Sequence, residues 1–170
     1  MTPDFERLYP VIGHCVKQTL ADIPAPNGVV YACGFWLFYA DFSVIGAPCF
    51  AYNIVGREDD AKWSPPEWAV DVEDRIAEAL TPHYERLTEL MTGQSDEMWE
   101  SLIQFQWDYY SQLCLEITRD APSLLHHWQV ADDFVCGIFE EREDDEIYSR
   151  LLRASIGEEV VERLGILHDG

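Results

Sequence analysis

A mostly apolar run, Val29–Ala40, constrains the fold more than any other part of this chain. Its β-branched and aromatic residues predict a strand, and it is much shorter than the roughly 20 residues that a membrane-spanning helix needs. Asp41–Ser43 is predicted as a turn, and Val44–Val55 as the antiparallel partner strand. Pro48 places part of that second strand at an edge or a bulge, and Gly34 suggests a bulge in the first.

Two amphipathic helices are predicted on either side of this strand pair. Apolar residues at spacings of three and four indicate a helix over residues 4–21. The clearest local signal comes later, where Ser64 is a natural N-cap followed by proline and Glu67 is placed to close a capping box. We expect this helix to run to Gly93, with a break or kink at Pro82, because proline lacks the backbone donor.

The second half of the chain is predicted to be mainly helical. The predicted elements are a long helix capped by Ser95 and ended by Asp120-Ala-Pro, a strand over Phe134–Phe139, and terminal helices over Ile147–Ala154 and Glu158–Leu164. Strands and helices do not alternate as they do in a βαβ repeat. We therefore expect one α+β domain over residues 1–170, with a small, mostly antiparallel sheet packed against several long helices.

The charge of the chain is strongly unbalanced, because 32 acidic residues accompany only 11 lysines and arginines, for a net charge of −21. Residues 1–56 carry a net −2, whereas residues 57–170, with 28 acids and nine bases, carry −19. Such a surface repels nucleic acid and anionic membranes and attracts a basic protein. We expect the acidic loops and the outer face of the helix over 95–119 to bind that partner. The candidate contact residues are Glu58, Asp59, Asp60, Glu97, Glu100, Asp108, Glu140, Glu141, Glu143, Asp144, Asp145 and Glu146.

No motif predicts a catalytic residue, a cofactor site or a metal site. His126 and His127 are adjacent and are expected at a helix end or on partly buried surface, and no HExxH, CxxC or EF-hand pattern occurs. The five cysteines are expected to be reduced core residues. The N-terminus has no basic and apolar leader, so we expect a cytoplasmic protein.

Trp63 and Trp68 permit two interpretations. Trp63 precedes the predicted N-cap, where a hydrophobic staple would reach residue 68, and this favours a structural role. The alternative is an exposed aromatic anchor at an interface.

Three stretches together resemble a bacterial domain family. They are Val30-Tyr-Ala-Cys-Gly-Phe, Lys62-Trp-Ser-Pro-Pro-Glu-Trp68 and Asp133-Phe-Val-Cys-Gly-Ile-Phe-Glu-Glu. The family carries a Trp-Ser-Pro-x-Glu-Trp helix start and has no assigned enzymatic activity. Its members are similar to cytoplasmic immunity proteins encoded beside secreted polymorphic toxins. The resemblance implies a non-enzymatic protein that binds and neutralises a cognate toxin.

Two other functions remain open from the sequence. A carboxylate-based, metal-dependent enzyme would use Asp41, Asp132 and Asp133 first. A nucleic-acid mimic would space its acids like phosphates along one face. We favour the immunity protein, because a toxin that acts on nucleic acids or nucleotides needs a basic active-site surface that this chain would occlude.

Overall fold

A three-stranded sheet in the order β2-β1-β3 organises the fold. The computed structural model describes residues 3–36, 39, 44–56, 63–65, 68 and 73–167. The strands in these ranges are β1 (Val29–Trp36), β2 (Cys49–Ile54) and β3 (Gln129–Ile138). β1 is antiparallel to β2 and parallel to β3, so the sheet is mixed, with only one of its two pairings antiparallel.

Helices account for most of the rest of the described chain. They are α1 (Pro3–Asp22), α2 (Glu73–Met91), α3 (Asp96–Leu124), α4 (Asp145–Ile156) and α5 (Glu158–Leu164). The predicted α+β class is confirmed, with one small sheet and long helices. None of the described helices combines the length and apolar character needed to cross a bilayer.

Side chains from both faces of the sheet are buried. On β1, Cys33 and Phe35 join the core formed with α1, α2 and α3. Ala32 and Trp36 instead join a second core with Trp63, Trp68 and the last two helices. A strand covered on both faces needs apolar residues at successive positions, which explains the continuous apolar run in the sequence.

A pair of glycines allows close packing in the second core. Gly34 on β1 lies opposite Gly137 on β3. A Cβ atom on Gly34 would lie 2.6 Å from Cγ of Pro65 and 2.9 Å from Cδ2 of Phe139. The bulge predicted at Gly34 is wrong: the register changes between Val30 and Ala32, and Gly34 permits a close approach instead.

The prolines interrupt the helices less than predicted. α2 contains Pro82, and α3 continues past Pro122 to Leu124 instead of ending at Asp120-Ala-Pro. Ala121 and Leu125 on either side of Pro122 are buried, and this burial offsets the lost backbone hydrogen bond. Ser95 caps α3 as predicted, since its hydroxyl accepts a hydrogen bond from the amide of Met98 at 3.4 Å.

The Trp-Ser-Pro segment differs from its predicted form. Pro65 lies in a 3₁₀ turn and Trp68 is not helical, so an α-helix does not begin at Ser64. Both tryptophans are buried against Phe139, with ring centroids 6.5 Å from it for Trp63 and 5.8 Å for Trp68. Their burial confirms a structural role, although not as a staple at a helix start, and the exposed-anchor alternative is wrong. Glu67, the expected partner in the capping box, lies outside the described residues.

Candidate partner-binding surface

The carboxyl ends of β1 and β3 meet at one edge of the sheet because these two strands are parallel neighbours. Polar groups that follow such strands converge at this edge. Tyr39 follows β1 and the segment 140–143 follows β3, and a hydrogen bond of 3.1 Å from Arg142 to the carbonyl of Tyr39 joins them. The predicted acidic loop therefore lies beside a tyrosine that the sequence did not connect with it.

Arg142 is held by three contacts at this edge. Its Nε donates to Glu140 at 2.8 Å, its Nη1 donates to the carbonyl of Tyr39, and its Cζ lies 5.4 Å from the centre of the Tyr39 ring. The hydrogen bond to Glu140 raises the pKa of Arg142. The guanidinium group is thus charged and oriented, although 41% of the Arg142 side chain is exposed.

The prediction that Glu140 contacts a partner is wrong. Glu140 is 0% exposed, unlike the other acids of the loop. A buried carboxylate needs a charged partner, and Arg142 provides one. The side chain of Glu140 therefore positions Arg142 and does not itself face a partner.

Tyr39 links the loop to the neighbouring helix. Its hydroxyl donates to the carboxylate of Glu143. Burial, and then the hydrogen bond to Glu143, raises the pKa of Tyr39 well above its ordinary value. Its ring lies 6.2 Å from the ring of Trp107 on α3.

Trp107 and Arg150 complete the group. Cζ of Arg150, on α4, lies 5.6 Å from the Trp107 ring, and its Nη2 donates to Gln104 at 3.3 Å. Gln104 in turn donates to Asp108 at 2.8 Å. We call the four side chains of Tyr39, Trp107, Arg142 and Arg150 the aromatic–arginine cluster.

The structure brings some of the predicted acids together through this cluster. Asp108 reaches it through Gln104, and Glu143 reaches it through Tyr39. The outer edge of α3 and the acidic loop, which are separate in sequence, are thus linked by side-chain contacts, and α4 packs against α3 beside them. Four more of the predicted acids are exposed near the starts of two helices: Glu97 and Glu100 on α3, and Asp145 and Glu146 on α4.

The remaining predicted acids have other positions. Asp144 is the N-cap of α4, where its carboxylate accepts from the amide of Ile147 at 2.9 Å. Glu141 is exposed and accepts from the Ser64 hydroxyl at 3.3 Å. Glu58, Asp59 and Asp60 lie outside the described residues.

The cluster itself was not predicted from the sequence, where the candidate contact residues were all acids and the only candidate aromatic anchors were Trp63 and Trp68. One signal was available: Arg142 is the only basic residue in the run from Glu140 to Glu146. A lone arginine among six acids suggests a specific pairing. No local pattern indicated that Tyr39 or Trp107 would lie beside it.

The residues considered for other chemistry lie apart from the cluster. Asp132 and Asp133 are exposed on β3, and Asp41 is not among the described residues. In the described ranges, no group of three or more histidine, cysteine or acidic side chains is arranged to hold a metal ion. His126 is exposed, and His127 is partly buried with its Nε2 2.7 Å from the carbonyl oxygen of Ile23.

The cysteines are free thiols. Cys33, Cys114 and Cys136 are buried, as predicted, and Cys15 and Cys49 are partly buried. Burial raises the thiol pKa of Cys33 and of Cys114, which keeps both protonated and unreactive.

Comparisons with protein-family models, with curated proteins and with solved structures gave no match to this chain.

Proposed function

We propose that this chain is a cytoplasmic immunity protein that binds a basic toxin domain and occludes its active site. The observation that carries the proposal is the single surface formed by the outer edge of α3, the acidic loop and the start of α4. A toxin that cuts nucleic acid, or that uses a phosphate-bearing cofactor, presents a basic surface of complementary charge. The family resemblance of the sequence supports the same function.

The acids on this surface are poorly compensated. Glu97, Glu100, Asp145 and Glu146 are exposed and form no ion pair with any other described residue. Uncompensated charges of one sign produce a long-range field that accelerates the approach of a partner of opposite sign. This surface therefore favours fast association with a basic protein.

The proposal is tested with the protein encoded directly upstream of this chain. We expect a secreted protein with a basic C-terminal domain that is toxic when expressed in the cytoplasm. Co-expression of this chain should restore growth, and the two purified proteins should form a stable complex. The proposal fails if no such domain is encoded there, or if co-expression leaves the toxicity unchanged.

The contribution of the acidic surface is measured by charge reversal. Glu100→Lys combined with Glu146→Lys should lower the association rate constant roughly tenfold at low salt and flatten its dependence on ionic strength. Glu78→Lys with Glu85→Lys makes the same change of charge at exposed positions of α2 and serves as the matched control. Equal effects of the two double variants would show that this surface does not steer the partner. Glu140 and Asp144 are left intact because both have structural roles.

A further inference from the structure

Two arginines, Arg142 and Arg150, belong to the same acidic loop and helix α4 that carry the acids of the proposed surface. Resting on the function proposed above, we propose that the aromatic–arginine cluster is the anchor of the interface and that Arg150 receives a carboxylate of the basic partner. The acidic rim would then steer the partner, and the cluster would hold it. Tyrosine, tryptophan and arginine are the residue types that most often dominate the binding energy of an interface.

The guanidinium groups are already oriented for such a contact. Arg142 is fixed by Glu140 and by the carbonyl and ring of Tyr39, and Arg150 by Gln104 and the ring of Trp107. A side chain that is ordered before binding loses little conformational entropy when the complex forms. The planar donor fork of a guanidinium matches a carboxylate in two parallel hydrogen bonds.

Trp107 supports Arg150 from below. It is 7% exposed, and its ring lies 6.2 Å from the Tyr39 ring and 5.6 Å from Cζ of Arg150. A buried aromatic ring beneath a guanidinium group holds that group in place at the surface.

The charge of the chain indicates which carboxylate this is. A small free anion is repelled by a protein of net charge −21 and by the acids around the cluster. A carboxylate carried on a basic protein is delivered by the attraction between the two proteins. The occupant is therefore an aspartate or glutamate side chain surrounded by basic residues on the partner.

The direction in which one substitution changes binding distinguishes this anchor from long-range charge attraction. Arg150→Gln makes the chain more negative, and so does Arg163→Gln at an exposed position of α5. Long-range attraction alone predicts that both variants bind a basic partner at least as well as the wild type. The anchor predicts that Arg150→Gln dissociates at least about tenfold faster while Arg163→Gln does not.

The experiment measures association and dissociation rates with the purified C-terminal domain of the upstream-encoded protein as the probe. Arg150→Lys keeps the charge without the donor fork and is expected to dissociate at an intermediate rate. Thermal unfolding of each variant confirms that the fold is retained. If the wild type binds and Arg150→Gln dissociates like Arg163→Gln, the anchor is wrong and the proposed function stands. If the wild type does not bind, the proposed function itself fails.

The partner's carboxylate is identified by double-mutant cycles. Each acidic residue of the probe domain is changed to its amide and combined with Arg150→Gln. The contacting residue should show a non-additive loss of affinity, whereas distant residues should show additive effects. Additivity at every acidic position would overturn the assignment of a carboxylate as the occupant.

Discussion

Replacing Gly34 with alanine tests how tightly the Trp-Ser-Pro segment packs on the sheet. The new Cβ atom would lie 2.6 Å from Cγ of Pro65 and 2.9 Å from Cδ2 of Phe139, and both distances are shorter than real Cβ contacts. The proline ring is rigid, and Phe139 is 0% exposed between two tryptophans, so neither can withdraw freely. Overpacking of this kind costs about 1–3 kcal/mol.

An opposing effect reduces this cost. Alanine restricts the unfolded chain more than glycine does, which stabilises the folded state by about 0.4–1 kcal/mol. Taken at the middle of both ranges, Gly34→Ala lowers the free energy of unfolding by about 1.3 kcal/mol. For a chain of this length, that corresponds to a fall of roughly 3–5 °C in Tm.

The assay is urea denaturation followed by tryptophan fluorescence, with calorimetry for Tm. Gly46→Ala is the matched control, since no atom lies within 4 Å of its Cβ position. We expect the control to be unchanged or slightly more stable. If Gly34→Ala is as stable as Gly46→Ala, Pro65 and Phe139 do not press on this strand and the packing argument is refuted.

Two further predictions concern ionisable groups of the acidic loop and of α4. Arg142→Gln removes the arginine of the buried Glu140 and should cost about 1–3 kcal/mol of stability, less than for a fully buried pair because Arg142 is 41% exposed. Glu140→Gln should lower the free energy of unfolding by less than Arg142→Gln, because it leaves no unpaired charge buried. Equal losses for the two variants in urea denaturation would contradict a buried charge at Glu140. Burial, and then the charge of Glu141, raises the pKa of Tyr148 to about 12, above its ordinary value near 10. The resulting contribution is present below pH 10 and is lost as the pH rises towards 12, so Tyr148→Phe should lessen the fall of stability with pH in this range. If a spectrophotometric titration shows that Tyr148 ionises near pH 10, the raised pKa of Tyr148 is refuted.

The helices were the part of the fold best predicted from sequence. α1, α4 and α5 lie within two residues of their predicted limits, because apolar residues recur at the helical spacing. α3 begins at Asp96 next to its predicted cap, Ser95. The tail of α3 was missed because a local rule about Pro122 could not include the burial of Leu125 in the core that α3 forms with α1 and α2.

The strands were located less accurately. β3 begins at Gln129, well before the predicted Phe134. Its first five residues include three polar ones and are all at least partly exposed, so no apolar pattern indicated a strand there. Its parallel pairing with β1 could not be read from sequence. Pairing direction depends on where the long helices return the chain, which is a property of the whole fold.

The acidic surface was predicted from composition, but its centre was not. Asp108 and Glu143 are distant in sequence, and only the fold links both to the cluster, Asp108 through Gln104 and Glu143 through Tyr39. Glu140 shows the limit of composition most clearly. Its charge could be counted from the sequence, whereas its burial beside Arg142 could not.

The sequence by itself determined the helical periodicity, the two-sided burial implied by the apolar strand, and the excess negative charge of the second two thirds of the chain. These are properties of residue type and local spacing. Only the tertiary structure decided which acids face solvent, that Gly34 and Gly137 lie opposite each other, and that two arginines lie beside two neighbouring aromatic rings. Such contacts join residues far apart along the chain, and their geometry depends on how strands and helices pack.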